Sequence, residues 1–462
     1  MEAQEFDLLV LGAGPGGYTA ALEAARAGLR VAVVERDTPG GTCLARGCIP
    51  TKTLLHAAEL ARTAREGAAF GVRCEGVSVE MAALADYKDE VVGRLSAGIT
   101  RLFEQNRVAL FAGSGKVTAP GTVAVTGAAP ALLRAPRLLI AVGGCPAPLP
   151  LPGIGLPGVY DSSSMLARRA LSPSLVIIGG GVIGMEFASL YAALGGRVTV
   201  LEAADRILAG MDREFGQNLK MILKKRGVDI HTGAALTEIA QETDGLCCRY
   251  TEKDAACEAR GAAVLVAVGR RPCTSGLFAP ACTPAMQRGW ITVDAQYATS
   301  VPGIWAIGDV TGGIQLAHAA AAQGLCAVAA MLGRPAPARA DVIPACVYTD
   351  PEIATVGLTA DEAAARGIPA VCRRYPMGAN GKTLLTRQER SLLKFVYAPD
   401  TGALLGVQMM CARATDMIGE FADAVAAGRT VRQLAAAVRP HPTFNEAVWE
   451  LARECAASLP EA

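Results

Sequence analysis

Gly12-Ala-Gly14-Pro-Gly-Gly17 and, 167 residues later, Gly179-Gly-Gly181-Val-Ile-Gly184 are the stretches on which the fold turns. The apolar run Glu5 to Leu11 leads into the first, and Ser174 to Ile178 leads into the second. Each loop opens a stretch with helical composition, Tyr18 to Ala27 and Met185 to Leu194. Each helix is followed by a second apolar strand ending on an acid, Arg30-Val-Ala-Val-Val-Glu35 and Arg197-Val-Thr-Val-Leu-Glu202. In both copies the acid stands 23 residues after the first glycine. Each copy later closes a strand on glycine, Leu138 to Gly143 and Val264 to Gly269. Such recurrence marks an internal duplication of a strand–loop–helix–strand nucleotide-binding unit.

The pattern has a physical reason. Gly12, Gly14, Gly17 and Gly179, Gly181, Gly184 let backbone and pyrophosphate approach closely. The helix N-terminus behind them offers free amides and the positive end of its dipole. Glu35 and Glu202 are placed to accept hydrogen bonds from a ribose. At the second loop, a carboxylate favours a free 2′-hydroxyl and repels a 2′-phosphate. Ala203 and Ala204 add no cation, so NAD is preferred over NADP, with Arg206 the one nearby charge that softens the preference.

Between the copies lies Gly40-Gly-Thr-Cys43-Leu-Ala-Arg-Gly-Cys48-Ile-Pro-Thr-Lys52. Two Cα atoms five residues apart on an ideal helix are roughly 8.6 Å apart, beyond the usual reach of a disulfide of about 4.4–6.8 Å. The chain must therefore tighten or bend if the two sulfurs are to meet, and Gly47 permits it. Pro50 suits the start of a helix, where a thiolate is stabilised by the dipole, and Lys52 brings a cation near. Half a zinc site and two unrelated buried thiols remain open on these residues alone. Zinc would want a second ligand pair of the kind this chain lacks, so no metal is expected.

Near the C-terminus stands Arg439-Pro-His441-Pro-Thr-Phe-Asn-Glu446. Thiol–disulfide exchange needs a base to make thiolate and an acid to protonate the departing sulfur. Histidine does both near neutral pH. The flanking prolines aim the ring and Glu446 can orient it, although a structural histidine remains an even alternative. Cys247-Cys248 and Cys455 read as incidental packing thiols.

The chain has 462 residues, 44 Lys and Arg against 43 Asp and Glu, and 51% apolar residues. That balance argues against nucleic acid or an anionic membrane as main partner. No basic segment followed by an apolar run opens the chain, and no uninterrupted apolar run of about 20 residues follows. A cytoplasmic protein is the simple reading, with most of its 14 cysteines reduced. Proline is dense from Cys145 to Pro157, which reads as a stiff linker. Further breaks fall near Arg270-Arg-Pro272 and Arg334-Pro-Ala-Pro337. Beyond them, strands Leu392 to Tyr397 and Ala403 to Met409 and helical runs Ala414 to Ala427 and Asn445 to Ala457 suggest an α+β unit without a third glycine loop.

With these residues in view, the chain resembles the dihydrolipoamide dehydrogenases, within the flavin disulfide reductases. The likeness rests on Gly12 to Tyr18, Gly41-Thr42-Cys43 to Lys52, Gly179 to Glu186, Ala306-Ile-Gly308-Asp309, Leu316-Ala317-His318, Tyr348 to Glu352 and His441 to Glu446. It implies an α/β protein with two duplicated Rossmann-like domains and a C-terminal α+β dimerisation domain. Residues 1–145 and 271–340 would bind FAD, 146–270 would bind NAD, and 341–462 would form the dimer. FAD would be held by the first loop, Glu35, Thr42, Lys52, Gly143, Gly308, Asp309, Leu316 and Ala317. NAD would be held by the second loop, Glu202 and Gly269. Cys43 would be the thiol that meets substrate and Cys48 the one that faces the flavin. Lys52 and Glu186 would pair beside its ring.

The resemblance also implies a homodimer in which His441 and Glu446 come from the partner, and a lipoyl-carrying protein of a 2-oxoacid dehydrogenase or glycine-cleavage complex as substrate. The alternatives are a related reductase of another disulfide, or a mainly structural flavoprotein subunit. Ala45 stands where the family usually has Asn, and Val142 where it usually has Thr. Both changes remove a polar group expected near the flavin.

Overall fold

The structure, a computed structural model, describes residues 2–460. The outer ends of the first and last expected segments, residue 1 and residues 461–462, lie outside the described residues. The duplication is visible as two five-stranded parallel sheets. The first runs Ile304–Ala306, Arg137–Ile140, Leu8–Leu11, Val31–Glu35, Ala109–Ala112 across its width. The second runs Val159–Asp161, Ala263–Val266, Ser174–Ile178, Arg197–Glu202, Val228–Thr232. In both, the glycine-loop strand sits at the centre, between the acid-bearing strand and the strand that closes on glycine. Parallel sheets are covered on both faces, so their strands read as continuous apolar runs. Leu8 and Val10 accordingly enter one core and Leu9 and Leu11 another, all four buried.

Boundaries differ from the sequence expectation where propensity competes with tertiary pairing. The run Glu5 to Leu11 is two strands: Ala3–Glu5 joins a separate sheet, and Leu8–Leu11 enters the parallel one. The helices begin earlier than expected, at Pro15 and Val182, because glycines that disfavour helix in isolation are held there by the turn. An antiparallel meander escaped the sequence reading in each unit: Ser114–Ala119, Thr122–Thr126, Ala131–Arg134, and Ala234–Glu242, Gly245–Glu252, Ala255–Gly261. Cys247 and Cys248 lie buried within the second.

The proline-rich segment, read as a stiff linker, also packs against the second unit. Leu149, Ile154 and Leu156 pack on the second meander's core, and Ile239 N–H donates to Pro152 O at 3.0 Å. At its start Gly144–Pro146 pairs antiparallel with Arg270–Pro272, so the two crossings between the sheets form one ribbon.

The C-terminal part is a five-stranded antiparallel sheet, in the order Ala345–Val347, Glu352–Gly357, Leu404–Cys411, Leu392–Tyr397, Val371–Pro376. Helices Ala414–Ala426 and Asn445–Ala457 cover it, and Phe395 packs against Phe421 with ring centroids 5.8 Å apart and planes inclined by 57°. A single core joins this sheet to the rest. Leu54 and Ala58 of helix Cys48–Glu66 share it with Met185 and Phe187, and with Val347, Ile353 and Met410. Each such buried Leu or Phe contributes roughly 1.5–3 kcal/mol, which fixes the thiol-bearing helix against both neighbours. Among the described residues no helix is long and apolar enough to cross a membrane.

Candidate active site

The bend required by the cysteine spacing falls at Gly47. Helix Gly41–Arg46 carries Cys43 and ends there; helix Cys48–Glu66 starts immediately after it. A Cβ at Gly47 would lie 2.8 Å from Thr42 O and 3.4 Å from Cys43 Cα, so only glycine lets the chain fold back this closely. As a result the two thiols become hydrogen-bonding neighbours. Gly47→Ala is therefore expected to separate the sulfurs. The reduced protein should then re-form its Cys43–Cys48 disulfide at least tenfold more slowly, measured by thiol titration against time; an unchanged rate would contradict the close-approach argument.

The proton between the thiols is placed unequally. Cys48 is lowered to about 7, chiefly by the hydrogen bond from Cys43 and then by the Lys52 charge, against the opposing effects of burial and Glu186. Cys43 is held far above the usual thiol range by its bond to Cys48 and by burial. So Cys43 donates and Cys48 is the thiolate, at the first turn of a helix where the dipole also favours it. Lys52, one turn on, donates to buried Glu186 at 2.7 and 2.9 Å. Glu186 also accepts the Tyr348 N–H at 3.1 Å, and the Lys52 ammonium sits 4.4 Å from the Tyr348 ring centroid. The Lys52–Glu186 pair is the one the resemblance implied, and Tyr348 joins it from a third distant segment.

Both thiols open on a cavity of about 1570 Å³. It is larger than the roughly 300–1,000 Å³ of a single small-molecule site. Gly12, Gly14, Glu35, Thr42, Gly143, Gly308, Asp309, Leu316 and Ala317 line it, as do Gly179, Gly181, Glu186, Glu202 and Gly269. Gly17 and Gly184 do not. They are packed so tightly that an added Cβ would meet the carbonyls of Gly12 and Gly179 at 1.9 and 2.0 Å. The middle glycines, Gly14 and Gly181, have nothing among the described residues within 4 Å of a Cβ position. One glycine per loop for packing and one facing open space is the division that a pyrophosphate requires. Two such cradles in one cavity fit two dinucleotides.

Glu35 and Glu202 do more than the sequence suggested. Glu35 accepts N–H groups of Ala13 at 2.7 Å and Asp37 at 2.9 Å; Glu202 accepts those of Gly180 at 2.5 Å and Ala204 at 2.7 Å. Each oxygen keeps a lone pair for a ribose. Arg206 is turned to Ala209 O at 2.9 Å. Asp309 is paired with Arg270 at 3.1 Å, whose guanidinium also donates to Gly144 O; Gln323 accepts the Gly308 N–H at 2.7 Å. Neither Arg270 nor Gln323 carries a sequence signal of its own. Val142 lines the cavity, and Ala45 does not.

His441 and Glu446 are brought to each other and not to the cysteines. Nδ1 of His441 lies 2.7 Å from Glu446 Oε1, while Glu446 Oε2 accepts the Thr443 N–H at 2.9 Å. These contacts hold the Glu446 carboxyl below its usual range. The His441 side chain is 78% exposed, leaving Nε2 free on a face that does not border the cavity. His318 by contrast bonds Pro344 O at 2.6 Å, a structural role.

Comparison with known proteins agrees with this arrangement. Residues 6–324 match the pyridine nucleotide-disulphide oxidoreductase profile, and residues 343–452 match that family's dimerisation domain. The chain is 38% identical to a dihydrolipoyl dehydrogenase of Bacillus subtilis, over 97% of this chain and 98% of the relative. It is 36% identical to the mitochondrial dihydrolipoyl dehydrogenase of Dictyostelium discoideum, over 98% and 94%. Among solved structures it is similar to LpdA of Mycobacterium tuberculosis (TM-score 0.90, 28% identity, 98% of this chain and 99% of that one). It is also similar to the HOCl-induced flavoprotein disulfide reductase RclA of Escherichia coli (TM-score 0.86, 29% identity, 97% and 99%). FAD and NAD are the cofactors of such enzymes, and the two cradles fit them. With the thiol pair, both nucleotide loops and the dimerisation segment matched nearly end to end, the chain belongs to the pyridine nucleotide-disulphide oxidoreductases.

Proposed function

We propose that this protein is a dihydrolipoyl dehydrogenase, oxidising a protein-bound dihydrolipoyl group with NAD. The observation that carries the reading is the Cys43–Cys48 thiol pair, set beside a cavity that reaches both glycine loops. In the oxidised protein the two sulfurs form a disulfide. His441 takes a proton from one substrate thiol. The resulting thiolate attacks Cys43 Sγ, breaking the Cys43–Cys48 bond and forming a mixed disulfide. Cys48 leaves as a thiolate, stabilised by Lys52 and, once Cys43 is free again, by the Cys43 thiol. The second substrate thiol, losing its proton to solvent, attacks the substrate sulfur of the mixed disulfide. It closes the cyclic disulfide and releases Cys43, which is reprotonated by His441. FAD supplies the two-electron relay between the thiol pair and the nicotinamide. The chain's part is distance, orientation and charge.

In this reading residues 1–145 and 271–340 hold FAD, 146–270 hold NAD and 341–462 form the dimer. Support for a homodimer with shared sites comes from His441, which is exposed and paired with Glu446 but off the cavity that holds Cys43 of its own chain. A cytoplasmic location, with a lipoyl-carrying acyltransferase or glycine-cleavage protein as partner, completes the proposal.

The test is a panel on the FAD-loaded protein: dihydrolipoamide with NAD, and glutathione disulfide or mercuric ion with NADH or NADPH. Dihydrolipoamide with NAD should dominate. Absence of that turnover would reject the substrate, and preference for another disulfide would favour the alternative that the likeness to RclA keeps alive.

Nucleotide choice has its own test. Glu202→Ala should raise the KM for NAD at least about tenfold, the value of a hydrogen bond to a charged group. The KM for NADP should change much less. Loosening of the loop would weaken both alike, so the ratio is what reports the ribose contact.

A further inference from the structure

A second thiol pair stands apart from the catalytic one. Cys145 lies in the strand Gly144–Pro146 and Cys273 directly follows Arg270–Pro272, the two crossings that join the first sheet to the second. In that ribbon Cys145 is opposite Arg271, and Cys273 N–H donates to Gly143 O at 3.1 Å. Cys273 is therefore opposite Gly143 and diagonal to Cys145 on the same face. Gly143 has no side chain to fill the space before Cys273, and the Cys145 thiol is close enough to act on Cys273. The Arg36 guanidinium also meets Cys273 and opposes the rise caused first by burial and then by Cys145. Both cysteines are partly exposed, and Cys273 borders the large cavity. Nothing in dinucleotide binding calls for a thiol at either position.

We infer that Cys145 and Cys273 are a second redox-active dithiol, a modification site at which a small aliphatic disulfide closes a bond between the two crossings. Diagonal positions start about 7–8 Å apart, beyond the roughly 6.8 Å at which a disulfide usually closes, so the backbone must move. A ribbon of only two strands, with no further strand on either side, can close the difference. The step balances. Cys273 as thiolate attacks RS–SR, that bond breaks, and RS⁻ leaves and takes up a proton. Cys145, losing its proton to solvent, then attacks Cys273 Sγ and expels the second RS⁻. Two cysteine sulfurs are oxidised and one RSSR becomes two RSH. The product would staple the entry and exit of residues 146–272, and so fix the second sheet relative to the first.

The experiment uses the FAD-loaded full chain and hydroxyethyl disulfide. After incubation, free thiols are blocked with N-ethylmaleimide and the protein is digested without reduction. The expected result is a Cys145–Cys273 cross-linked peptide that disappears with dithiothreitol. Two more thiols should be lost than in the identically treated Cys145→Ser/Cys273→Ser variant, and the oxidised wild type alone should show a reversible rise in Tm. Should the double variant fold poorly, Cys145→Ala alone suffices, because Cys273 would then carry only the mixed disulfide. Recovery of both as maleimide adducts while exposed Cys74 and Cys372 are oxidised would overturn the inference. So would mixed disulfides with no cross-link, or a cross-link without a Tm change. None of these readouts depends on lipoyl turnover, so this inference can fail independently of the proposed function.

Discussion

Cys48→Ser is expected to remove dithiol-to-NAD turnover by about four orders of magnitude or more, the scale of losing a covalent participant in catalysis. A hydroxyl oxygen has nearly the shape of the thiol but cannot be the leaving half of an S–S bond. Cys43 would have nothing to release when substrate attacks it. Fold should be kept, because Cys48 lies at a helix start and no core cluster depends on its sulfur. The charge state of Cys48 gives a second measurement. With Cys48 lowered to about 7 and Cys43 far above, alkylation of the reduced, FAD-free wild-type protein should fall on Cys48 and rise with pH around a midpoint near 7. Above that pH the thiolate persists; below it the sulfur is protonated and unreactive. Cys43→Ala removes the strongest lowering influence, so the midpoint should move upward, read by mass spectrometry of the alkylated peptide. A midpoint that stays in place would contradict the assigned proton donor.

His441→Ala should lower kcat by about 10²- to 10⁴-fold, the usual contribution of a positioned acid–base group. The loss should be partly relieved at high pH, where substrate thiols ionise unaided. Glu446→Gln should cost less, since it keeps a hydrogen bond to the ring while losing only the carboxylate charge. The stronger consequence concerns which chain supplies the base. Suppose Cys48→Ser and His441→Ala proteins are mixed and allowed to exchange subunits. If each site combines Cys48 of one chain with His441 of the other, every mixed dimer has one intact site. Twofold symmetry then returns about a quarter of the wild-type rate from two inactive parents. If each chain served itself, no dimer would have an intact site and the mixture would stay inactive.

Much of this site could be read before any coordinates. Glycine loops, their acids and the Cys43–Cys48 segment are local in sequence, and their geometry follows from a few neighbouring dihedrals. That the chain must bend followed from arithmetic, since five residues of helix are too long for two sulfurs to touch, and Gly47 was the residue able to permit it. What escaped was non-local or without periodic signature. Tyr348 joins the Lys52–Glu186 pair, which the resemblance had implied, from a third segment 162 positions beyond Glu186. The meanders alternate too weakly against an alanine-rich background, and Arg270, Gln323 and the Cys145–Cys273 pair show themselves only when two crossings lie side by side. For the proline-rich stretch, composition reports stiffness and says nothing of what a segment leans against.

Glu35 and Glu202 each brace their glycine turn through one amide, Ala13 or Gly180, and are themselves fixed by a second two residues on. A turn already propped open need not be ordered by its visitor, so little of the visitor's affinity is lost to conformational entropy. At the second turn that matters once every cycle. The nicotinamide carrier can dock and depart quickly without being held tightly, because the receptacle it leaves behind does not collapse.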